Sequence, residues 1–127
     1  MFLDTSIIIE IFRSGKSSKQ FEEIYYQIKD EPLFISIIQV GEISDWCLKN
    51  DIDPVKRILK LKHILNTIPL SETICLEGSQ IKHDMRNREI SKFSLMDGII
   101  LASARSINQK LLSTDNDFRK TSDVIIL

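Results

Sequence analysis

Apolar residues occur along this chain in short clusters set between polar breaks. Phe2-Leu3 runs directly into Asp4 and is too short to read as a strand from pattern alone. Ile7-Ile8-Ile9, continued by Ile11-Phe12, fits either a buried helix or an extended strand. Ser14-Gly15-Lys16-Ser17-Ser18 is a break, and beyond it Phe21, Ile24, Tyr25 and Ile28 recur at helical spacing. Asp30-Glu31-Pro32 ends that helix, because the proline ring pushes the preceding residue out of helical geometry. Leu33-Phe34-Ile35 then reads as a short strand.

In the next segment Ser36 and Gln39 form a capping-box pattern. The helix behind it carries Ile38, Val40, Ile43, Trp46 and Cys47 inward and ends near Lys49-Asn50. Asp53-Pro54 opens another helix, with proline at the permitted first position and Ile58, Leu61 and Leu65 on the buried face. Ile68-Pro69-Leu70 is an edge strand at most, since Pro69 cannot donate to a ladder. From Ser71 a stripe of Ile74, Ile81 and Met85 runs to the polar stretch Arg86-Asn87-Arg88-Glu89. Ser94 caps a further helix with a small-residue buried segment, Ile99 to Ala104. Leu111-Leu112 and Val124-Ile125-Ile126-Leu127 are the last strands. Strands alternating with helices predict an α/β fold with a mainly parallel sheet, whose ligands bind beyond the carboxyl ends of the strands.

Length and composition narrow the class. The 127 residues predict one domain, 1–127, with 43% hydrophobic and 28% charged residues, as in ordinary globular proteins. Seventeen basic against eighteen acidic side chains leave a net charge of −1, so nucleic-acid binding would need a local basic patch. Cys47 and Cys75 lack metal-ligand spacing and read as buried free thiols. The sequence has no apolar run long enough for a membrane span and no basic segment before Phe2-Leu3-Asp4, so a cytoplasmic protein is expected.

The chemistry-bearing residues are acidic. Asp4 follows the first apolar segment, Glu42 lies in the helix after Leu33-Phe34-Ile35, Asp97 is in the first turn after Ser94, and Asp115 and Asp117 follow Leu111-Leu112. In a parallel sheet all can approach one strand-end edge. There their mutual repulsion should raise at least one carboxyl pKa unless a cation is bound. Oxygen ligands without histidine or cysteine suit Mg²⁺ or Mn²⁺. Each acid also has a local alternative: Asp4, Asp115 and Asp117 as caps or turn formers, Asp97 as the partner of Ser94 in a capping box, and Glu42, four residues from both Ile38 and Trp46, as a surface carboxylate at the edge of the apolar face.

Taken together, four segments resemble a PIN-domain ribonuclease, and size and motifs are similar to the VapC-type toxins of toxin–antitoxin pairs. These are Phe2-Leu3-Asp4-Thr5-Ser6, Val40-Gly41-Glu42, Ser94 to Ala104 around Asp97, and Leu112-Ser113-Thr114-Asp115-Asn116-Asp117-Phe118. The resemblance implies a three-layer α/β/α fold and an acidic quartet, Asp4, Glu42, Asp97 and Asp115, holding one or two divalent ions, with Asp117 as an auxiliary acid. Thr5, Ser6 and Thr114 match the supporting hydroxyls. It further implies metal-assisted hydrolysis of RNA phosphodiesters, a small antitoxin partner and a homodimer. The middle helices, Asp53 to Leu65 and Ser71 to Glu89, carry no matching signature.

Lys82, Arg86 and Arg88, with Lys92 nearby, and separately Lys110, Arg119 and Lys120, are the densest basic stretches. The first is the candidate for RNA backbone contacts, and a solvated face is the alternative for both. A phosphoacceptor receiver domain is rejected, because Asp4 has no acidic neighbour and Asp53 follows polar residues instead of an apolar strand. A PIN-like nuclease of RNA processing without an antitoxin, a DNA-cleaving nuclease and a non-catalytic binding module remain as alternatives.

Overall fold

Strand side chains alternate between two cores, and this alternation sets the layers. The computed structural model describes residues 1–127. Its strands are β1 (Phe2–Leu3), β2 (Phe34–Ser36), β3 (Asn66–Ile68), β4 (Leu111–Ser113) and β5 (Val124–Ile126). They form one sheet in the order β3-β2-β1-β4-β5, every pairing parallel. Met1, Leu3, Ile35, Leu112 and Ile125 face one cluster, and Phe2, Phe34, Ile68, Leu111 and Val124 face the other, as a two-residue period requires.

The first cluster is closed by α1 (Thr5–Arg13), α2 (Lys19–Ile28), α3 (Ile37–Lys49) and α4 (Pro54–Lys62), which contribute Ile7, Ile8, Ile24, Ile43, Cys47 and Leu61. The second is closed by α5 (Glu72–Asn87) and α6 (Leu95–Ser106), through Met85, Ile100, Leu101 and Ala104. The fold is therefore a three-layer α/β/α sandwich.

Local chemistry starts the helices where the pattern predicts. Ser36 and Gln39 form their capping box, Asp53 accepts from the Val55 and Lys56 N–H groups before Pro54 sets the first turn, and Ser71 accepts from Ile74. The ambiguous Ile7-Ile8-Ile9 run is helical. Phe2-Leu3, too short for its pattern to be read, is the central strand. Its backbone is held from both sides, by Phe2 N–H donating to Lys110 and Phe34 N–H donating to Met1.

The edge strand lies two residues earlier than Ile68-Pro69-Leu70, because the ladder with β2 pairs Asn66 to Ile68 and stops before Pro69. Leu65 lies beyond the end of α4 yet is still buried. Cys47 is buried as expected, whereas Cys75 is exposed, since it lies off the stripe of α5 that packs inward.

Helices α5 and α6 meet at Gly78 and Gly98. A Cβ added at Gly98 would lie 2.1 Å from the Gly78 carbonyl oxygen, and one at Gly78 would lie 2.7 Å from Ile99 Cγ1. Neither position has room for a side chain. This contact places the first turn of α6, with Asp97, over the sheet.

Candidate active site

Four acids reach the carboxyl edge of the sheet from four different segments. Asp4 directly follows β1 and occupies the N-cap position of α1, yet its side chain makes no capping bond. Its Oδ2 accepts instead from Ser6 Oγ at 2.6 Å and from Ser113 Oγ at 2.7 Å. Ser113, the last residue of β4, also accepts the Asp115 N–H at 2.9 Å, so one buried hydroxyl links the acids beyond two neighbouring strands.

Glu42 is carried by α3. Its Oε1 accepts from Thr5 Oγ1 at 2.9 Å, and the same hydroxyl receives Gln39 Nε2 at 3.3 Å. Gln39 is fully buried, donates to the Leu3 carbonyl at 2.8 Å, and accepts the Ser36 N–H at 2.8 Å. The capping-box partner of Ser36 therefore also fixes α3, β1 and Thr5 relative to one another.

Asp97 completes the capping box of α6, its Oδ2 accepting from Ser94 N–H at 2.8 Å. Asp115 Oδ1 accepts from Asp117 N–H at 2.8 Å and starts a single 3₁₀ turn, Asn116–Phe118. Capping and chemistry thus do not compete for Asp97 and Asp115. In all four acids one oxygen is anchored by these bonds and the second has no side-chain partner.

Asp4 is the most enclosed of the four, with 5% of its surface exposed. Burial raises its pKa above the ordinary carboxylate value. The Ser6 and Ser113 hydroxyls and the Thr5 N–H partly offset this, and the Asp115 charge adds to it. Glu42 and Asp97 are raised as well, again chiefly by burial; their hydrogen bonds to Thr5 and Ser94 oppose the shift, and neighbouring acids, Asp4 among them, reinforce it. The expected repulsion is present, but loss of water outweighs it.

The donor set fits a hard divalent cation. No three acidic, histidine or cysteine side chains stand close enough to ligate one ion directly. Mg²⁺ nevertheless retains several waters and takes only one or two carboxylates, so spaced acids with free oxygens suit a hydrated ion. Histidine and cysteine play no part here, which disfavours zinc.

The remaining expected residues divide. Thr5 and Ser6 hold Glu42 and Asp4. Thr114 contributes its backbone N–H, donated to Ser6 Oγ at 3.1 Å, while its side chain is exposed; the hydroxyl that serves the acids belongs to Ser113. Asp117 lies 3.8 Å from Arg119 and anchors Asp115 through its N–H.

Of the proposed phosphate contacts, Arg88 pairs with Asp84 at 3.1 Å, and the Arg88 and Lys120 side chains each donate to the other's backbone carbonyl, in a group that includes Arg105. Arg105 joins Asp123 beside the start of β5, so Arg88 belongs to the opposite edge of the sheet. Arg86 donates to the Phe93 carbonyl at 3.0 Å and ties down the segment before Ser94. Lys82 makes no ion pair or side-chain hydrogen bond. Gln39 and Ser113 are the site residues that sequence reasoning missed. Gln39 showed only as a cap, and Ser113 stood unremarked inside the Ser113-Thr114-Asp115 run.

An all-parallel α/β/α sandwich with an acidic cluster at its carboxyl edge is the architecture of a PIN domain, and the chain matches that family over residues 1–124. It belongs to the PIN domain family. Solved structures with the same fold include a toxin–antitoxin complex from Klebsiella pneumoniae, at TM-score 0.76 and 21% identity, covering 98% of this chain and 94% of that one. VapBC-1 from nontypeable Haemophilus influenzae superposes at TM-score 0.74 and 22% identity, covering 99% and 95%. Mycobacterium tuberculosis VapC20, a Sarcin-Ricin loop cleaving toxin, does so at TM-score 0.73 and 17% identity, covering 97% and 95%. Comparison with curated proteins gives no match. No helix is long and apolar enough to cross a membrane.

Proposed function

We propose that this chain, as a single PIN domain over 1–127, is a Mg²⁺- or Mn²⁺-dependent endoribonuclease that acts in the cytoplasm as the toxin of a toxin–antitoxin pair. One observation carries the reading: Asp4, Glu42, Asp97 and Asp115 come from four segments, and each has one anchored oxygen and one left without a side-chain partner. A purely structural cluster of acids would gain more from pairing with cations of the protein itself. The likeness to a toxin that cleaves the Sarcin-Ricin loop supports RNA as substrate, and the likeness to toxin–antitoxin complexes supports a small antitoxin partner. A homodimer belongs to the same reading.

Asp4, Glu42, Asp97 and Asp115, with Asp117 as an auxiliary acid, would hold the divalent ion, which when bound supplies water activation and charge neutralisation at the phosphate. The chain itself provides preorganisation. Ser6 and Ser113 fix the Asp4 carboxylate, Gln39 through Thr5 fixes Glu42, and the Ser94 N–H fixes Asp97, so little reorganisation remains at the moment of reaction.

The test is cleavage of RNA by purified protein. Cutting should require Mg²⁺ or Mn²⁺, stop with EDTA, and be lost in Asp4→Asn and Asp97→Asn variants that remain folded. Expression in bacteria should arrest growth, and Glu42→Gln should relieve the arrest. Full cutting in chelator would overturn the nuclease reading, and equal arrest by Glu42→Gln would overturn the link between toxicity and the site.

A further inference from the structure

A groove leaves the acidic edge between α1 and α3. Its cavity, about 250 Å³, is lined by Thr5, Ile9, Glu42, Asp45, Trp46 and Lys49, so one end is formed by two residues of the site itself. The far end carries a cation, Lys49, whose only partner is Asp45 at 2.9 Å. Both side chains of that pair are largely exposed, 72% and 66%, so the pair is weak and easily opened.

Between the two ends lies Trp46, half-buried. Its ring centroid is 5.8 Å from that of Phe12, and the Arg57 guanidinium lies 5.1 Å from the Phe12 ring centroid on that residue's behalf as a cation–π partner. The indole is thus supported within the protein while remaining part of the groove wall. Carboxylate, aromatic face and ammonium follow one another along the path a nucleic-acid strand would take out of the site.

Resting on the nuclease reading, we infer that this groove is a subsite for single-stranded RNA, in which one base next to the scissile phosphate stacks on Trp46 and Lys49 contacts the adjoining phosphate. Single-strand binding sites combine aromatic faces on which bases stack with cationic contacts to the backbone; here Trp46 and Lys49 are the residues of those two kinds. Asp45, released from Lys49, accepts hydrogen bonds from base N–H groups and favours a base that offers them. Lys49 is the one cation of the groove, set against Glu42 and Asp45, so its contact with a phosphate requires the Asp45 pair to open.

Trp46 is the only tryptophan, so its emission reports the groove directly. A mixed-sequence oligoribonucleotide titrated into Asp4→Asn protein with Mg²⁺ should quench it. In the active protein, Trp46→Ala should raise KM about five- to a hundredfold, the range covered by stacking one base, with kcat largely kept. Trp46→Phe should restore most of the loss. Lys49→Ala, at an exposed position, leaves the core intact; it should weaken binding and lower the salt dependence by about one phosphate contact.

RNA that is cut normally while Trp46 emission stays unchanged, with wild-type KM in Trp46→Ala and Lys49→Ala, overturns the subsite alone. Quenching by an arginine-bearing peptide but not by RNA overturns it in favour of a protein-binding groove. No cutting by the wild type, with quenching by RNA retained, overturns the nuclease reading and leaves the subsite standing.

Discussion

The two ends of α6 treat charge in opposite ways. At its start, Asp97 stands among Asp4, Glu42 and Asp115, and the charges acting on it are those of other acids. At its end, Arg105 makes a two-pronged contact with Asp123, at 2.6 and 2.9 Å, which lowers the Asp123 pKa chiefly through that hydrogen bond and raises that of Arg105. Arg88 and Asp84 pair nearby. One edge of the sheet satisfies its charges internally. The other concentrates like charges, removes water from them, and leaves part of their bonding capacity open. Folding alone favours the first arrangement, and the second is the edge whose donors suit an external cation.

The largest effect expected from this contrast is catalytic. Asp4→Asn should lower RNA cleavage by roughly 10²–10³ or more, on the scale of losing one transition-state contact. Asp123→Asn should leave the rate unchanged, and equal losses in a cleavage assay would erase the distinction between the edges. Within the acidic edge, Asp115→Asn should be more damaging than Asp117→Asn, whose carboxylate already faces Arg119.

Gly98 lies beside Asp97 at the helix crossing. Gly98→Ala should destabilise by about 1–3 kcal/mol in urea unfolding, because the new Cβ meets the Gly78 carbonyl, and should reduce cleavage by displacing Asp97. Wild-type stability would show that the crossing yields easily.

Ion and proton linkage give a smaller effect. Mg²⁺ at about ten times its Kd should stabilise the protein by roughly 1.4 kcal/mol, with a reduced shift in Asp4→Asn. Because the pKa values of Asp4, Glu42 and Asp97 are raised on folding, the ion-free folded state binds protons more readily than the unfolded state. Its stability should therefore rise as pH falls from neutral through those raised values, and the gain should end near the ordinary carboxylate range. Asp123, lowered on folding, acts with the opposite sign: its contribution is full above about pH 4 and is lost as pH falls through its depressed value. Melting curves against pH, with and without Mg²⁺, separate the two. A lower ion-free melting temperature at pH 7 for Asp4→Asn, with the whole Mg²⁺ shift retained, would show that these acids serve structure.

The smallest effect belongs to the paired edge. Arg105→Gln should cost no more than about 1 kcal/mol, since Arg105 is 43% exposed and solvent screens the pair. A larger loss in chemical denaturation would show that this pair helps set the far end of α6.

Much of this was legible along the chain because it rests on neighbours in sequence. The capping boxes at Ser36 and Ser94, Pro54 at the start of α4 and the apolar stripes of α2 and α5 need only local geometry, and the α/β class follows from their alternation with strands. The acids could be selected from their positions after apolar segments. Other features depend on residues far apart in sequence. Phe2-Leu3 is a strand because β2 and β4 supply its hydrogen-bond partners, and Ile7-Ile8-Ile9 is helical because the chain turns back over the sheet after Asp4. Ser113 reaches Asp4 across 109 positions, and Gln39 joins Leu3 to Thr5 and Glu42 across the sheet edge. Arg88 and Arg86 look like one basic patch in sequence, yet folding sends one to Asp84 and Lys120 and the other to Phe93. Backbone periodicity and capping act over a few residues and can be read from order alone, whereas burial, charge pairing and shared hydroxyls are set by which strands become neighbours.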